Sequence, residues 1–289
     1  MLSTMPETKA PQLQAPRPKD AKLHALRARV RVLERGAGRG RLKVVPLGLP
    51  ALDGHLPGGG LPLGALHQVE AARAEWDDGA MTGFCLGLIA RLSQAVAGPV
   101  LWVARRPDLY GPGLLALGVD PGRLILVRAQ GDQEVCWALE EGLRCPALAA
   151  VVGEVAEPER SAGRRLQLAA EAGGITAFLL RRRLQPRRRA EPPSAAMTHW
   201  RVSAAPSGEV PPELPPRLSG SPRLPSPPGL LGPPRWRVEL LRCRGAAPGC
   251  FVVEGDDETG GFALATALRD GPLVSDSVVE GRPPARLAG

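Results

Sequence analysis

LHQVEAARAEWDDGAMTG, residues 66–83, decides the fold. Leu66–Val69 is an apolar run of strand type, Glu70 to Asp78 is polar and turn-like, and a helical pattern follows from Met81. A strand passing through a short turn into a helix is the frame on which phosphates are held. Backbone N–H groups of a Gly-rich turn cradle them, a lysine reaches the β/γ-phosphates, and a Ser or Thr takes magnesium. Here the frame stands without those groups. No lysine follows Lys43, and the turn carries Glu70, Glu75, Asp77 and Asp78 against one cation, Arg73. Four carboxylates at that range would repel a polyphosphate by roughly several kcal/mol. The stretch therefore reads as a nucleotide frame that has lost its nucleotide. Asp77 and Asp78 fit as helix N-cap and partners of the helix dipole; a carboxylate pair for acid/base work is the alternative.

Outward from this stretch, apolar runs at Ala65–Val69, Val100–Ala104, Leu124–Val127, Ala149–Gly153 and Ile175–Leu180 predict buried parallel strands. Helices fit between them at Met81–Val96, Gln133–Leu143 and Glu159–Ala172. Gly98–Pro99 and Gly173–Gly174 mark helix exits. Such alternation predicts a doubly wound, mostly parallel α/β sheet over residues 44–205. Residues 206–234 hold 11 prolines in 29 positions, the composition of a stiff linker. Beyond it, Trp236–Cys243 and Cys250–Val253 flank a Gly/Pro turn and predict a small β-hairpin in a module spanning 235–289. Residues after Glu254 are acidic and then weakly patterned.

Charge is unevenly spread. The 289-residue chain has net charge +8, and residues 1–45 alone hold 11 Lys/Arg against 3 Asp/Glu, so the rest is balanced. Basic arms of this kind contact nucleic acid or acidic partners. Within residues 1–43, the first 19 are Pro/Gln-rich and predict disorder. Leu23, Leu26, Val30 and Leu33 then recur at helical spacing among Lys22, Arg27, Arg29, Arg31 and Arg35. They predict a basic amphipathic helix from Asp20 to Gly36, which either packs on its own domain or docks on a partner. The 33 arginines against 4 lysines fit a GC-rich genome, so the high pI by itself says little about nucleic acid.

Five cysteines, none in a C-x-x-C, point to free thiols in a reducing compartment. With no signal-peptide core and no apolar span of membrane length, a cytoplasmic protein is expected. His24, His55, His67 and His199 are scattered without ligand spacing, and no G-x-S-x-G elbow occurs. No catalytic, cofactor or metal residue is expected.

Three segments carry a resemblance. VPLGLPALDG (45–54) followed by GGGLPLG (58–64), and ALGVDPGRL (116–124), resemble the approach strands of the RecA recombinase core, and with the strand order they cover residues 44–203. That resemblance implies a hydrolytic glutamate after the strand Val100–Ala104, where this chain has Arg105, Arg106, Pro107 and Asp108. It implies a magnesium-binding aspartate near Gly153–Glu154, where Glu154 reads either as a metal ligand or as a strand-end residue. A RecA-like core without the phosphate-binding turn, a basic N-terminal helix and the C-terminal RWRVELLRCRGAAPG (235–249) together resemble the ImuA family.

The ImuA resemblance implies an accessory factor of SOS mutagenesis. It would act with an inactive, ImuB-like Y-family polymerase homologue and an error-prone DnaE-type polymerase in translesion synthesis, on the nucleoid when DNA is damaged. RecA and single-stranded DNA are further partner candidates. Partner contact is expected at Leu23, Leu26, Val30, Leu33, Trp236 and Arg237. In RecA-like cores the loop after the strand equivalent to Ile175–Leu180 faces DNA. Here that position holds Arg181, Arg182, Arg183, Arg187, Arg188 and Arg189, a set that would neutralise phosphates; a solvated loop or a surface for an acidic partner are the alternatives. The expected function is thus a non-catalytic adaptor. Alternatives are a divergent DNA-dependent ATPase gripping phosphate with Arg73, or a SulA-like cell-division inhibitor.

Overall fold

The structure, a computed structural model, describes residues 43–159, 161–182, 194–207, 232–256 and 261–266. The expected N-terminal helix and most of the Pro-rich linker lie outside the described residues. In chain order the elements are β1 (Val44–Val45), α1 (Pro50–Asp53), β2 (Leu61–Pro62), β3 (Leu66–Ala71), α2 (Asp78–Ala95), β4 (Val100–Ala104), α3 (Gly111–Ala116), β5 (Leu124–Arg128), α4 (Asp132–Gly142), β6 (Ala150–Val155), α5 (Ala162–Gly173), β7 (Thr176–Arg181), β8 (Thr198–Ala205), β9 (Arg235–Cys243), β10 (Gly249–Asp256) and β11 (Gly261–Thr266).

Strands β3 to β11 form one nine-stranded sheet, ordered β11-β10-β9-β8-β3-β7-β6-β4-β5. From β8 to β5 every pairing is parallel; β9, β10 and β11 add on antiparallel. The chain is therefore α/β with a mostly parallel sheet, as expected, and compatible with a RecA-like core. Strands buried on both faces need continuous apolar runs, and β6 and β7 supply them. Their side chains alternate between two cores. Val152, Phe178 and Leu180 join Met81, Phe84, Leu88 and Trp102 under α2. Val151, Ala177 and Leu179 join Val135, Leu139 and Leu166 under α4 and α5. Gly98 (φ +111°) and Gly174 (φ +69°, the C-cap of α5) leave their helices in left-handed conformations that only glycine adopts freely.

The segments that carried the resemblance have structural duties. Asp53 accepts the N–H groups of Leu47, Gly48 and Leu49 at 2.8–3.1 Å, fixing the entry to the sheet. Arg123 donates to the carbonyls of Ser93 (2.8 Å), Val96 (3.0 Å) and Gly98 (3.0 Å), satisfying the end of α2. Asp77 stands at the N-cap position of α2 as expected, yet its side chain makes no cap bond, because other donors claim it.

The predicted hairpin is present as β9 and β10, longer at both ends than the sequence suggested, and it continues the central sheet. Its root is the seam with α2. Trp236 of β9 and Phe262 of β11 lie against Gly83 and Gly87, one turn apart on that helix. A Cβ at Gly83 would come within 2.9 Å of the Trp236 ring, and one at Gly87 would collide with Phe262. Trp236 is 5% exposed and stacks edge-on against Phe262 at 6.2 Å between ring centres. Strands β8 and β11 and helix α3 were not anticipated. Thr198, His199 and Arg201 make β8 too polar to read as a central strand, but each finds a partner across to β3.

Those partners form a buried polar seam. His67 Nδ1 shares a hydrogen bond of 2.7 Å with the Thr198 hydroxyl, and burial pushes the His67 pKa down to about 4. Gln68 meets His199 at 3.2 Å. Glu70 is held by Arg201 at 3.1 Å and by His199 at 3.3 Å. All five cysteines are free, with Cys85, Cys136 and Cys243 buried. Among the described residues no helix is long and apolar enough to cross a membrane.

Candidate functional site

The turn between β3 and α2 is where a phosphate would be cradled, so the fate of its N–H groups decides what it can bind. Asp77, fully buried, gathers Arg73 N–H (3.0 Å), Arg73 Nε (3.0 Å), Arg73 Nη2 (3.2 Å) and Ala204 N–H (3.1 Å) around its carboxylate. Burial works against its charge, but these four donors outweigh it and hold its pKa below the ordinary carboxylate value. Three further N–H groups turn inward as well: Ala72 to Val202 O (2.8 Å), Trp76 to Ala74 O (2.8 Å) and Asp77 to Arg73 O (3.1 Å). Four of the turn's N–H groups are thus spent on the protein itself. Glu75 closes the turn at φ +66°, the one non-glycine residue with positive φ among the described residues, a strained conformation for an L side chain.

The expectation of four carboxylates facing one pocket needs correcting. Glu70 points into the β3–β8 seam and is neutralised by Arg201, and Asp77 is neutralised by Arg73. Glu75 and Asp78 remain. Asp78 has one buried carboxylate oxygen without a hydrogen-bond partner; burial, with Glu75, Asp108 and Asp77 nearby, raises its pKa against the pull of Arg182.

A cation of the chain's own lies beside it. Arg182, just past the end of β7, sets Nε 2.5 Å from Glu154 Oε2. Its Nη2 lies 3.2 Å from the Thr82 hydroxyl and 3.4 Å from Asp108 Oδ1. The other Glu154 oxygen accepts Trp102 Nε1 at 2.8 Å. Glu154 is buried, and desolvation keeps its pKa raised despite both donors. In the arrangement implied by the RecA resemblance, a hydroxyl near the start of α2 and a carboxylate at this strand end would share a magnesium ion. Here a guanidinium spans them. Among the described residues no cluster of three His, Cys, Asp or Glu could hold a metal. A neighbouring groove of about 470 Å³, bordered by Gly79, Gly83, Leu117, Ala204 and Trp236, offers one cation, Arg235, and that is paired with Glu254 at 2.6 Å.

Of the expected contact residues, Arg181 ends β7 and Arg182 is engaged as described. Trp236, expected to meet a partner, is a core residue, because Gly83 and Gly87 open a slot for it. Arg237 is half-exposed on β9, 3.5 Å from Glu239 Oε1. Leu23, Leu26, Val30, Leu33, Arg183, Arg187, Arg188 and Arg189 lie outside the described residues. Sequence reasoning missed the joint role of Thr82, Asp108 and Arg182, and the display of Trp76 and Tyr110, which are 83% and 73% exposed. A tryptophan within a turn of charged residues was the available signal.

No protein-family model matches the chain. Protein ImuA of Caulobacter vibrioides (strain NA1000 / CB15N) is 42% identical over 236 residues, covering 78% of this chain and 91% of that protein. Protein ImuA of the strain ATCC 19089 / CIP 103742 / CB 15 matches with the same figures.

Proposed function

The chain belongs to the ImuA family, and from that premise we propose that it is a non-catalytic, RecA-like adaptor in the response to DNA damage. It supports error-prone translesion synthesis by bringing together an ImuB-like polymerase homologue and a DnaE-type polymerase, with RecA and single-stranded DNA as further contacts. The arginine run beginning at Arg181 is its nucleic-acid contact, excepting Arg182, which is already engaged. The basic N-terminal helix and the half-exposed Arg237 face of β9 are its protein contacts.

The observation that carries the non-catalytic reading is the occupied turn. Asp77 and neighbouring carbonyls consume the N–H groups of Ala72, Arg73, Trp76 and Asp77, and Arg182 bridges Thr82 to Glu154. ATP would have to break these bonds while facing Glu75 and Asp78. The ATPase alternative requires a free Arg73, whereas here three of its N–H groups serve Asp77.

Calorimetric titration with millimolar ATP and magnesium tests this. No saturable binding is expected, with or without single-stranded DNA. Saturable binding, or phosphate release that DNA stimulates and Arg73→Ala abolishes, would establish the ATPase instead. Filamentation of undamaged cells on overexpression would favour the cell-division inhibitor.

A further inference from the structure

We propose that Trp76 and Tyr110, flanked by Arg105 and Arg106, form a base-stacking site for single-stranded nucleic acid at the carboxyl edge of the parallel strands. This deepens the nucleic-acid part of the proposed function and rests on it. The two aromatics are the most exposed large apolar side chains among the described residues, at 83% and 73%. Neither is on a face that the fold buries. Trp76 precedes α2 in the turn after β3, and Tyr110 precedes α3 in the loop after β4.

Their loops are far apart in sequence but tied together. Arg182 bonds Thr82 of α2, six residues after Trp76, and contacts Asp108, two residues before Tyr110. The same arginine sits at the end of β7, so both loops are pinned at the root of the arginine run. Arg105 and Arg106, in the Tyr110 loop, are exposed and carry no ion pair among the described residues.

Exposed rings beside unpaired guanidinium groups suit a single strand. Every base offers a π-face to stack on, while the phosphates between bases need cations at short range. Two carboxylates of this edge are already paired, Asp77 with Arg73 and Glu154 with Arg182. Glu75 and Asp78 remain, so Arg105 and Arg106 must offset them for the phosphates of the strand. A protein partner would more naturally meet a continuous apolar groove than two rings interleaved with charge.

The test is binding of the full-length chain to a fluorescein-labelled oligothymidylate, followed by anisotropy across a salt series. Trp76→Ala and Tyr110→Ala should each weaken binding about tenfold without changing the salt slope, since stacking is worth roughly 1–3 kcal/mol per base. Trp76→Phe with Tyr110→Phe should bind nearly as wild type, yet lose the quenching of tryptophan emission that DNA causes in the wild type. Arg105→Ala with Arg106→Ala should flatten the log–log salt slope by about 1.4, at ~0.7 per phosphate contact on a single strand. Unfolding midpoints of all variants should match wild type, since these side chains are exposed.

If the alanine variants bind as wild type while Arg187→Ala, Arg188→Ala and Arg189→Ala together abolish binding, the stacking site is wrong and the arginine-run contact stands. Wild-type protein that fails to bind at about 50 mM salt would remove both. Loss of a co-purifying polymerase in Trp76→Ala, with DNA affinity intact, would also overturn the stacking site and make this edge a protein contact.

Discussion

At its N-terminal end helix α2 is met by charge: Asp77 with Arg73, and Thr82 with Arg182 and Glu154. From Gly83 onward the same helix is met by rings, with Trp236 over Gly83 and, one turn further, Phe262 over Gly87. Both contacts close a flank of the helix with parts of the chain distant in sequence, but they differ in what closure costs to lose. Ion pairs exchange hydration for Coulomb attraction and leave a small balance, so their work is to occupy space and N–H groups. The aromatic seam removes large apolar area from water and adds dispersion contacts, and it carries the stability of the sheet's antiparallel half.

The largest expected effect falls on the aromatic flank. Trp236→Ala should destabilise the protein by about 3–5 kcal/mol, the range for large-to-small aromatic changes in cores, measured by urea denaturation. A loss under ~1 kcal/mol would mean that β9 to β11 form a loosely attached appendage and would erase the contrast.

On the charged flank, Arg182→Ala should cost about 2 kcal/mol at pH 7, because it strips a charged partner from buried Glu154 while Arg182 itself is partly exposed. The sign with pH follows from the raised Glu154 pKa. Ionising that carboxyl weighs against the fold as pH rises above its unfolded value of 4.5, so the deficit should be greatest near neutrality and shrink as pH falls to that value. Adding Glu154→Gln should restore most of the loss. A deficit independent of pH, or no rescue, would show that Arg182 acts through packing.

The smallest effect belongs to the turn. Asp77→Asn should cost about 1–2 kcal/mol at pH 7, a few charge-assisted hydrogen bonds' worth. The depressed Asp77 pKa makes this contribution present above 3.8, the unfolded value, and lost as pH falls further through the folded one. Wild type and variant should therefore converge below that pH. Amide exchange at Ala204, whose N–H bonds Asp77, should speed up in the variant; unchanged exchange would sharpen the contrast by showing the turn holds without its carboxylate.

Legibility in the sequence followed the same division. Strands β4, β6 and β7 were readable because burial on both faces demands unbroken apolar runs, and Val100–Ala104 was placed to the residue. Strand β8 was hidden. Its Thr198, His199 and Arg201 look like loop residues until His67, Gln68 and Glu70 are set beside them by register. The acidic, lysine-free turn was plain from composition and position, but the pairing that disarms Glu70 was not, since Arg201 lies more than a hundred residues away; Asp77 is neutralised by Arg73 only four residues before it, and there only the Ala204 N–H is remote.

Local chemistry, read along the chain, determined the α/β alternation, the missing phosphate lysine and the helix exits at Gly98 and Gly174, because these depend on side-chain periodicity and backbone freedom within a few residues. Only the folded arrangement decided that Arg182 bridges Thr82 and Glu154, that Trp236 is core, and that Trp76 and Tyr110 stand at one edge. Each of these is a meeting of residues remote in sequence, fixed by sheet order and by which glycines leave room, and no local pattern encodes such a distance.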